Sequence, residues 1–273
     1  MKLVAHISDL HFGAHDPVIA ATLLDELNGR SGARAELVVI SGDLTQRARR
    51  LQFAQARGFL RALEMPYLVV PGNHDIPMFD LFTRFVRGRE RYRRYISDDL
   101  TPFYADDAIA VAGVDTVKRF TIKSGAVRHE QIAAACEWFE RHPFHWKLLV
   151  AHHPLIVAPD APAADKDLVG DAAMALPLLE AVQTDMILTG HLHIPYSQDF
   201  AGRNESHSMI AVHAGSGISV RLRGHPNGYN RLCFDGSHCR ITLRVWDQDR
   251  FVEGAVKSYY RRPAPGAERL LKE

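Results

Sequence analysis

Cysteine is scarce in this sequence, with three residues in 273: Cys136, Cys233 and Cys239. An odd number leaves one thiol unpaired, and no two stand in the CxxC spacing of a thiolate metal site or redox pair. They read as reduced packing residues in a cytoplasmic protein. Long apolar runs are missing too: none reaches the roughly 20 residues that span a bilayer, so no membrane association is expected. Met1 to Ile7 is too short for a signal core and has no cleavage-site pattern. Nor is there an excess of either charge, since the formal net charge is +1. No global field therefore draws the chain to nucleic acid or an anionic surface. Arginine outnumbers lysine 26 to 7, a bias that an Arg-rich genome explains as readily as function does. No internal repeat or coiled-coil pattern is visible.

What is present is an ordinary globular composition, 47% hydrophobic and 24% charged, ordered as short apolar runs that each end in Gly, Asp or His. Lys2–Ile7 predicts a strand leading into Ser8-Asp9-Leu10-His11. Asp16-Pro17 is a helix start, an N-cap followed by a first-turn proline, with Ile19, Leu23, Leu24 and Leu27 on one stripe. Leu37–Ile40 predicts a buried strand ending in Ser41-Gly42-Asp43, and residues from about 47 to 63 a helix. Tyr67–Val70 predicts a third strand, ending in Pro71-Gly72-Asn73-His74-Asp75. Residues 76–100 are aromatic and basic and read as a helical cap insertion. Further strands are expected at Ile109–Gly113, Lys147–Ala151 and Met186–Leu188. Between them come helices over 129–141 and from near Pro177. Met209–Val212, Asn230–Phe234, Cys239–Val245 and Phe251–Val256 read as an antiparallel meander. Residues 1–260 are read as one domain and 261–273 as a polar tail. Strand–helix alternation followed by hairpins suggests two packed sheets with helices outside.

Asp9, His11, Asp43, Asn73, His74, His152, His191 and His193 all follow predicted buried strands directly. Ligands bind open α/β sheets in the crevice outside the strands' carboxyl ends, so five strands deliver these side chains to one rim. Imidazole, carboxylate and one amide oxygen, without thiolate, suit Mn, Fe, Zn or Co. With His74 set aside, the other seven are too many for one ion and suit two that share a carboxylate. The bland alternative is that polar residues gather in loops, and Asp43 or Asn73 taken alone could be a turn residue beside glycine. Five blocks in register with five strands weigh heavily against it.

Asp9-Leu10-His11, Gly42-Asp43, Gly72-Asn73-His74-Asp75, His152-His153-Pro154 and Gly190-His191-Leu192-His193 resemble, in order, the five blocks of calcineurin-like metallophosphoesterases. The resemblance covers residues 9–193 and implies an α/β fold, a four-layer αββα sandwich of two mixed β-sheets flanked by helices. It implies two divalent ions: Asp9, His11 and His193 on the first, Asn73, His152 and His191 on the second, Asp43 between them. His74 would bind a phosphate oxygen or protonate the leaving group, with Asp75 setting its tautomer. A bridging water acidified to hydroxide would then attack phosphorus in line. The blocks look most like those of bacterial cyclic-nucleotide and glycerophosphodiester phosphodiesterases, which implies a small phosphodiester substrate. Monoester or pyrophosphate hydrolysis is the alternative. A DNA nuclease ranks lower, since the chain lacks length for a capping domain and a basic surface that tracks phosphates. A non-catalytic scaffold ranks last, because every ligand position is filled.

Some features remain open. His213 follows a strand and reads as either a substrate contact or a structural histidine. Arg221 and Arg223 reach a substrate phosphate or sit in a solvated turn. The arginines between 84 and 94 serve an anionic substrate at the site mouth, a homodimer contact, or a solvated helix face.

Overall fold

The computed structural model describes residues 1–78, 80–121, 124–156, 168–201 and 208–261. Residues 262–273 of the expected tail, and residues 157–167, which are rich in Ala, Pro and Asp, lie outside them. Two six-stranded mixed sheets stack face to face. The first contains β1 (Lys2–Ile7), β2 (Leu37–Ile40), β3 (Tyr67–Val69), β10 (Gly228–Asp235), β11 (His238–Asp247) and β12 (Arg250–Tyr260), in the order β12-β11-β10-β1-β2-β3. The second contains β4 (Phe103–Ala105), β5 (Ile109–Gly113), β6 (Trp146–Val150), β7 (Met186–Thr189), β8 (Tyr196–Ala201) and β9 (Ser208–His213), in the order β4-β5-β6-β7-β9-β8. β1, β2 and β3 run parallel, as do β5, β6, β7 and β9.

Alternation along each strand divides the core into three layers, because successive side chains point to opposite faces. Val4, Leu37 and Val39 face Val111, Leu148, Val150, Leu188 and Val212 between the sheets. Ala5, Ile7, Val38 and Ile40 face outward against Leu23 and Leu27 of α1 (Pro17–Leu27) and Phe53 and Phe59 of α2 (Arg50–Arg61). Ala110, Ala112, Leu149 and Ile187 cover the other outer face with α5 (His129–Glu140) and α6 (Ala172–Ala181). This is the expected αββα sandwich. Strands buried on both faces read as continuous apolar runs, which is why β2, β6 and β7 stood out in the sequence.

Asp16 caps α1 through Oδ1, which accepts from Val18 N at 2.8 Å, and Pro17 follows as predicted. Two expectations are corrected. α6 begins at Ala172, not near Pro177, which sits inside the helix; the apolar residues ahead of the proline continue its packing face. Met209–Val212 leaves the meander, since β9 pairs parallel with β7 in the second sheet. Residues 76–100 form α3 (Leu81–Arg87) and α4 (Glu90–Tyr95). Tyr92 of α4 is fully buried beside Phe53 of α2, its hydroxyl donating to the Val69 carbonyl at 3.3 Å.

Candidate metal centre

The parallel strands of both sheets open their carboxyl ends onto one rim, and tight turns there aim the side chains inward. Asp9, His11, Asp43, His191 and His193 all have left-handed backbone, with φ of 53°, 48°, 54°, 71° and 62°. For non-glycine residues this conformation costs on the order of 1 kcal/mol or more each, and it persists only where the surroundings impose it. Backbone pairing imposes it here: Asp9 N donates to the Gly42 carbonyl at 3.1 Å and His11 N to the Asp43 carbonyl at 2.9 Å. The β1–β2 ladder thus continues past the ends of both strands. Glycine is required at 72 and 190 by close approach, since a Cβ at Gly72 would collide with the Asp43 carboxylate and one at Gly190 with Ser8 and Asp9.

The donor atoms converge. His11 Nε2 lies 3.6 Å from both Asp9 Oδ1 and Asp43 Oδ2, and His193 Nε2 lies 3.4 Å from Asp9 Oδ1. On the other side His152 Nε2 lies 3.4 Å from Asp43 Oδ1 and 2.9 Å from Asn73 Oδ1, and His191 Nδ1 lies 3.1 Å from the same Asn73 oxygen. Each Asp43 oxygen therefore faces a different half of the cluster, an arrangement that suits a carboxylate shared by two ions. Two donors each about 2.1 Å from one ion sit roughly 3.0–3.4 Å apart, close to these separations. Asp9 Oδ1 and both His11 nitrogens are buried without a hydrogen-bond partner. Orphaned buried acceptors cost about 1–3 kcal/mol each, and a cation between them removes that cost. The residues present fit two metal ions.

Charge in the cluster is strongly coupled. Burial opposes ionisation of Asp9 and Asp43, yet His193 beside the first and His152 beside the second hold both carboxyls below their usual range. Burial likewise opposes a charge on His152, but the Asp43 carboxylate holds it up to about 9. Burial and the neighbouring His152 push His191 down to about 3. Burial also lowers His74, outweighing Asp43. A cluster that retains protons on some imidazoles must release them to take up cations.

His74 backs onto this cluster, its ring 4.8 Å from that of His11. Its backbone N–H donates to Asp43 Oδ1 at 2.8 Å, and its Nδ1 lies 2.7 Å from the Gln46 carbonyl. A carbonyl can only accept, so Nδ1 carries hydrogen and Nε2 is left for the site. The tautomer is therefore set by Gln46 and not by Asp75, which corrects the expected role of Asp75. Its carboxylate instead accepts from Leu44 N, Thr45 N, Gly72 N and Thr45 Oγ1 at 2.8–3.1 Å, joining the loops after β2 and β3. Burial and the nearby Asp43 push it up to about 6.

His213 is fully buried, its ring stacked 4.3 Å from that of Tyr196, so it presents no surface to a substrate. Arg221 and Arg223 are exposed on the loop after Ser219, and Arg223 lies close enough to His193 to lower its basicity further. The sequence reading passed over the groups behind the ligands. His193 Nδ1 is 2.5 Å from Ser216 Oγ, His152 Nδ1 is 2.8 Å from the Ser41 carbonyl, and His153 Nδ1 is 2.8 Å from Thr116 Oγ1. Such partners fix a ligating imidazole's tautomer and orientation. Backbone carbonyls leave no mark in a sequence, and Ser216 lies in Ala214-Gly215-Ser216, beside a His213 that drew attention first.

Residues 2–195 match the calcineurin-like phosphoesterase family. The chain belongs to that family. Among its relatives is a glycerophosphodiester phosphodiesterase of Enterobacter lignolyticus, 38% identical over 82 residues, which cover 27% of this chain and 29% of that protein. Another is a cAMP/cGMP dual specificity phosphodiesterase of Mycobacterium tuberculosis, 25% identical over 220 residues, covering 73% and 64%. The matches thus span less than two thirds of either relative. A dimetal phosphatase from Danio rerio shares the fold, with a TM-score of 0.62 at 14% identity, covering 92% of this chain and 98% of that one. Among the described residues no helix is long and apolar enough to cross a membrane.

Proposed function

We propose that this phosphoesterase-family chain is a metal-dependent phosphodiesterase that hydrolyses a small phosphodiester. The observation that carries the reading is the convergence of donor atoms on two adjacent points, with Asp43 facing both and Asp9 Oδ1 left unpartnered in the interior. Asp9, His11 and His193 would hold one divalent ion, Asn73, His152 and His191 the other, and Asp43 both. Mn, Fe, Zn and Co all suit this donor set. When bound, two such ions supply Lewis acidity, acidifying water and neutralising charge on phosphoryl oxygens.

The chain's own residues do the rest. Ser216 and the Ser41 carbonyl keep His193 and His152 aimed without rearrangement, which is preorganisation. His74 is held neutral by burial, with Nε2 toward the site. An arriving phosphate anion favours its protonation, after which Nε2–H can donate to a phosphoryl oxygen or pass its proton to the leaving alkoxide. Arg223, on the loop beside His193, supplies a planar donor for the phosphate, with Arg221 close by. A diester is preferred over a monoester because both relatives described above are named as phosphodiesterases. The three free thiols suit a reducing compartment, and we place the protein in the cytoplasm.

The test compares hydrolysis of bis(p-nitrophenyl) phosphate and p-nitrophenyl phosphate after chelation and Mn²⁺ add-back. Metal-dependent turnover that favours the diester is expected, with Asp43→Asn lowering it at least about 10³-fold. Turnover of the monoester alone would sink the diesterase assignment. Activity on neither substrate, with intact metal binding, would point to a narrow substrate range or revive the non-catalytic scaffold.

A further inference from the structure

Residues 84–94 carry six arginines, and the structure sends them in two directions. Arg84 and Arg89 turn inward. Arg84 is 2% exposed and donates to the carbonyls of Pro77, Lys118, Arg119 and Thr121. Arg89 Nε lies 2.6 Å from Asp115 Oδ2. Arg87, Arg91 and Arg94 turn the other way. With Arg50, the first residue of α2, they line a pocket of about 170 Å³ completed by Thr83, Glu90 and Tyr95.

Charge in this pocket is not balanced from within. Glu90 is the one carboxylate in its lining, and it approaches Arg87 only to 3.7 Å with both side chains more than half exposed. Arg91 gives one N–H to the Ala48 carbonyl at 2.8 Å and keeps the rest of its fork. Arg94 lies over the Tyr95 ring, 6.0 Å from its centroid. The first turn of α2 holds no acidic residue, so the positive end of that helix adds to the field. Four guanidiniums repel one another in a chain whose net charge is only +1, and the carboxylates of Glu90 in the lining and Asp80 near Arg91 offset only part of that charge. A bound counter-anion relieves that repulsion.

We propose that this pocket is a second anion site, built to take a phosphate group. Guanidinium forks match phosphate oxygens bidentately, and four of them leave little room for a weaker anion to compete. The volume is below that of sites for drug-sized ligands, roughly 300–1,000 Å³, and suits a single phosphate group. No lining residue belongs to the metal cluster. The phosphate is carried either by a distal part of the substrate or by a separate phosphorylated molecule.

Inorganic phosphate, titrated calorimetrically into the Mn-loaded protein at low salt, is the probe. Arg87→Ala/Arg94→Ala should remove one binding event or weaken it at least tenfold, and the same event should survive in Asp43→Asn. Both arginines are exposed, so the double variant should fold normally, which circular dichroism verifies. Identical isotherms for the wild type and the double variant would overturn the site. Kinetics then distinguish the source. A KM raised for a diester that bears an extra phosphate, but not for bis(p-nitrophenyl) phosphate, assigns the site to the substrate. An unchanged KM for both, together with lost phosphate binding, assigns it to a separate phosphorylated molecule.

Discussion

The strand-end rim and the α3–α4 flank each gather one kind of side chain, histidine in the first and arginine in the second. On the rim the backbone is strained and the side chains are buried, and opposite charges face one another within the cluster, with Asp9 Oδ1 left for a cation. Asp43 faces His11 and His152 with one oxygen each. On the flank the backbone is ordinary helix, and neighbours in sequence have opposite fates: Arg84 is buried under four carbonyls while Arg87, one turn later, is 69% exposed. Clustering in sequence therefore means different things in the two places. At strand ends the topology forces consecutive blocks onto one spot, whereas on α3 two arginines one turn apart separate because Arg84 reaches four carbonyls and Arg87 stays at the surface.

Arg84 and Arg87 sharpen this comparison most. Arg84→Met leaves buried carbonyls without donors and should cost about 3 kcal/mol of stability, read as a fall in urea midpoint. Arg87→Ala should change it by less than about 0.5 kcal/mol. Equal losses would show that the flank is not divided as described.

A smaller effect is expected behind the rim. Ser216→Ala removes the partner of His193 Nδ1 and should weaken Mn²⁺ binding about 10–100-fold by calorimetry, with the fold intact. Unaltered affinity would mean that strand geometry alone aims His193.

The smallest effect concerns pH. Burial pushes His213 down to about 3, whereas an unfolded histidine titrates near pH 6.5. Between those values only the unfolded chain takes the proton, so His213 lowers stability progressively as pH falls below 6.5 and has no effect above it. His213→Phe keeps an aromatic ring against Tyr196. It should flatten the acid-side slope by up to about 1.4 kcal/mol per pH unit, measured by urea unfolding of metal-free protein from pH 7.5 to 5. Parallel slopes for the two proteins would place His213 in contact with solvent.

Most of the rim was legible in advance because its signal is local. Asp9, Asp43, Asn73, His152 and His191 each follow an apolar run closely, and glycine before Asp43, Asn73 and His191 marks where chains approach closely. Asp75 was misassigned for an equally physical reason. It stands next to His74 in sequence, yet its side chain points back between the loops after β2 and β3, where the N–H groups of Leu44, Thr45 and Gly72 need an acceptor. α6 was misplaced because proline's preference for a first turn outweighed the apolar residues ahead of it.

The layers, the five strand-end blocks and the donor types follow from alternation, chain order and side-chain chemistry, which are properties of the chain alone. Tertiary structure decided which carbonyl or hydroxyl stands behind each imidazole, which arginines turn inward, and that His213 is sealed from the site. Those outcomes depend on partners distant in the chain, the Ser41 carbonyl standing 111 residues from His152, brought together only when the two sheets close on each other.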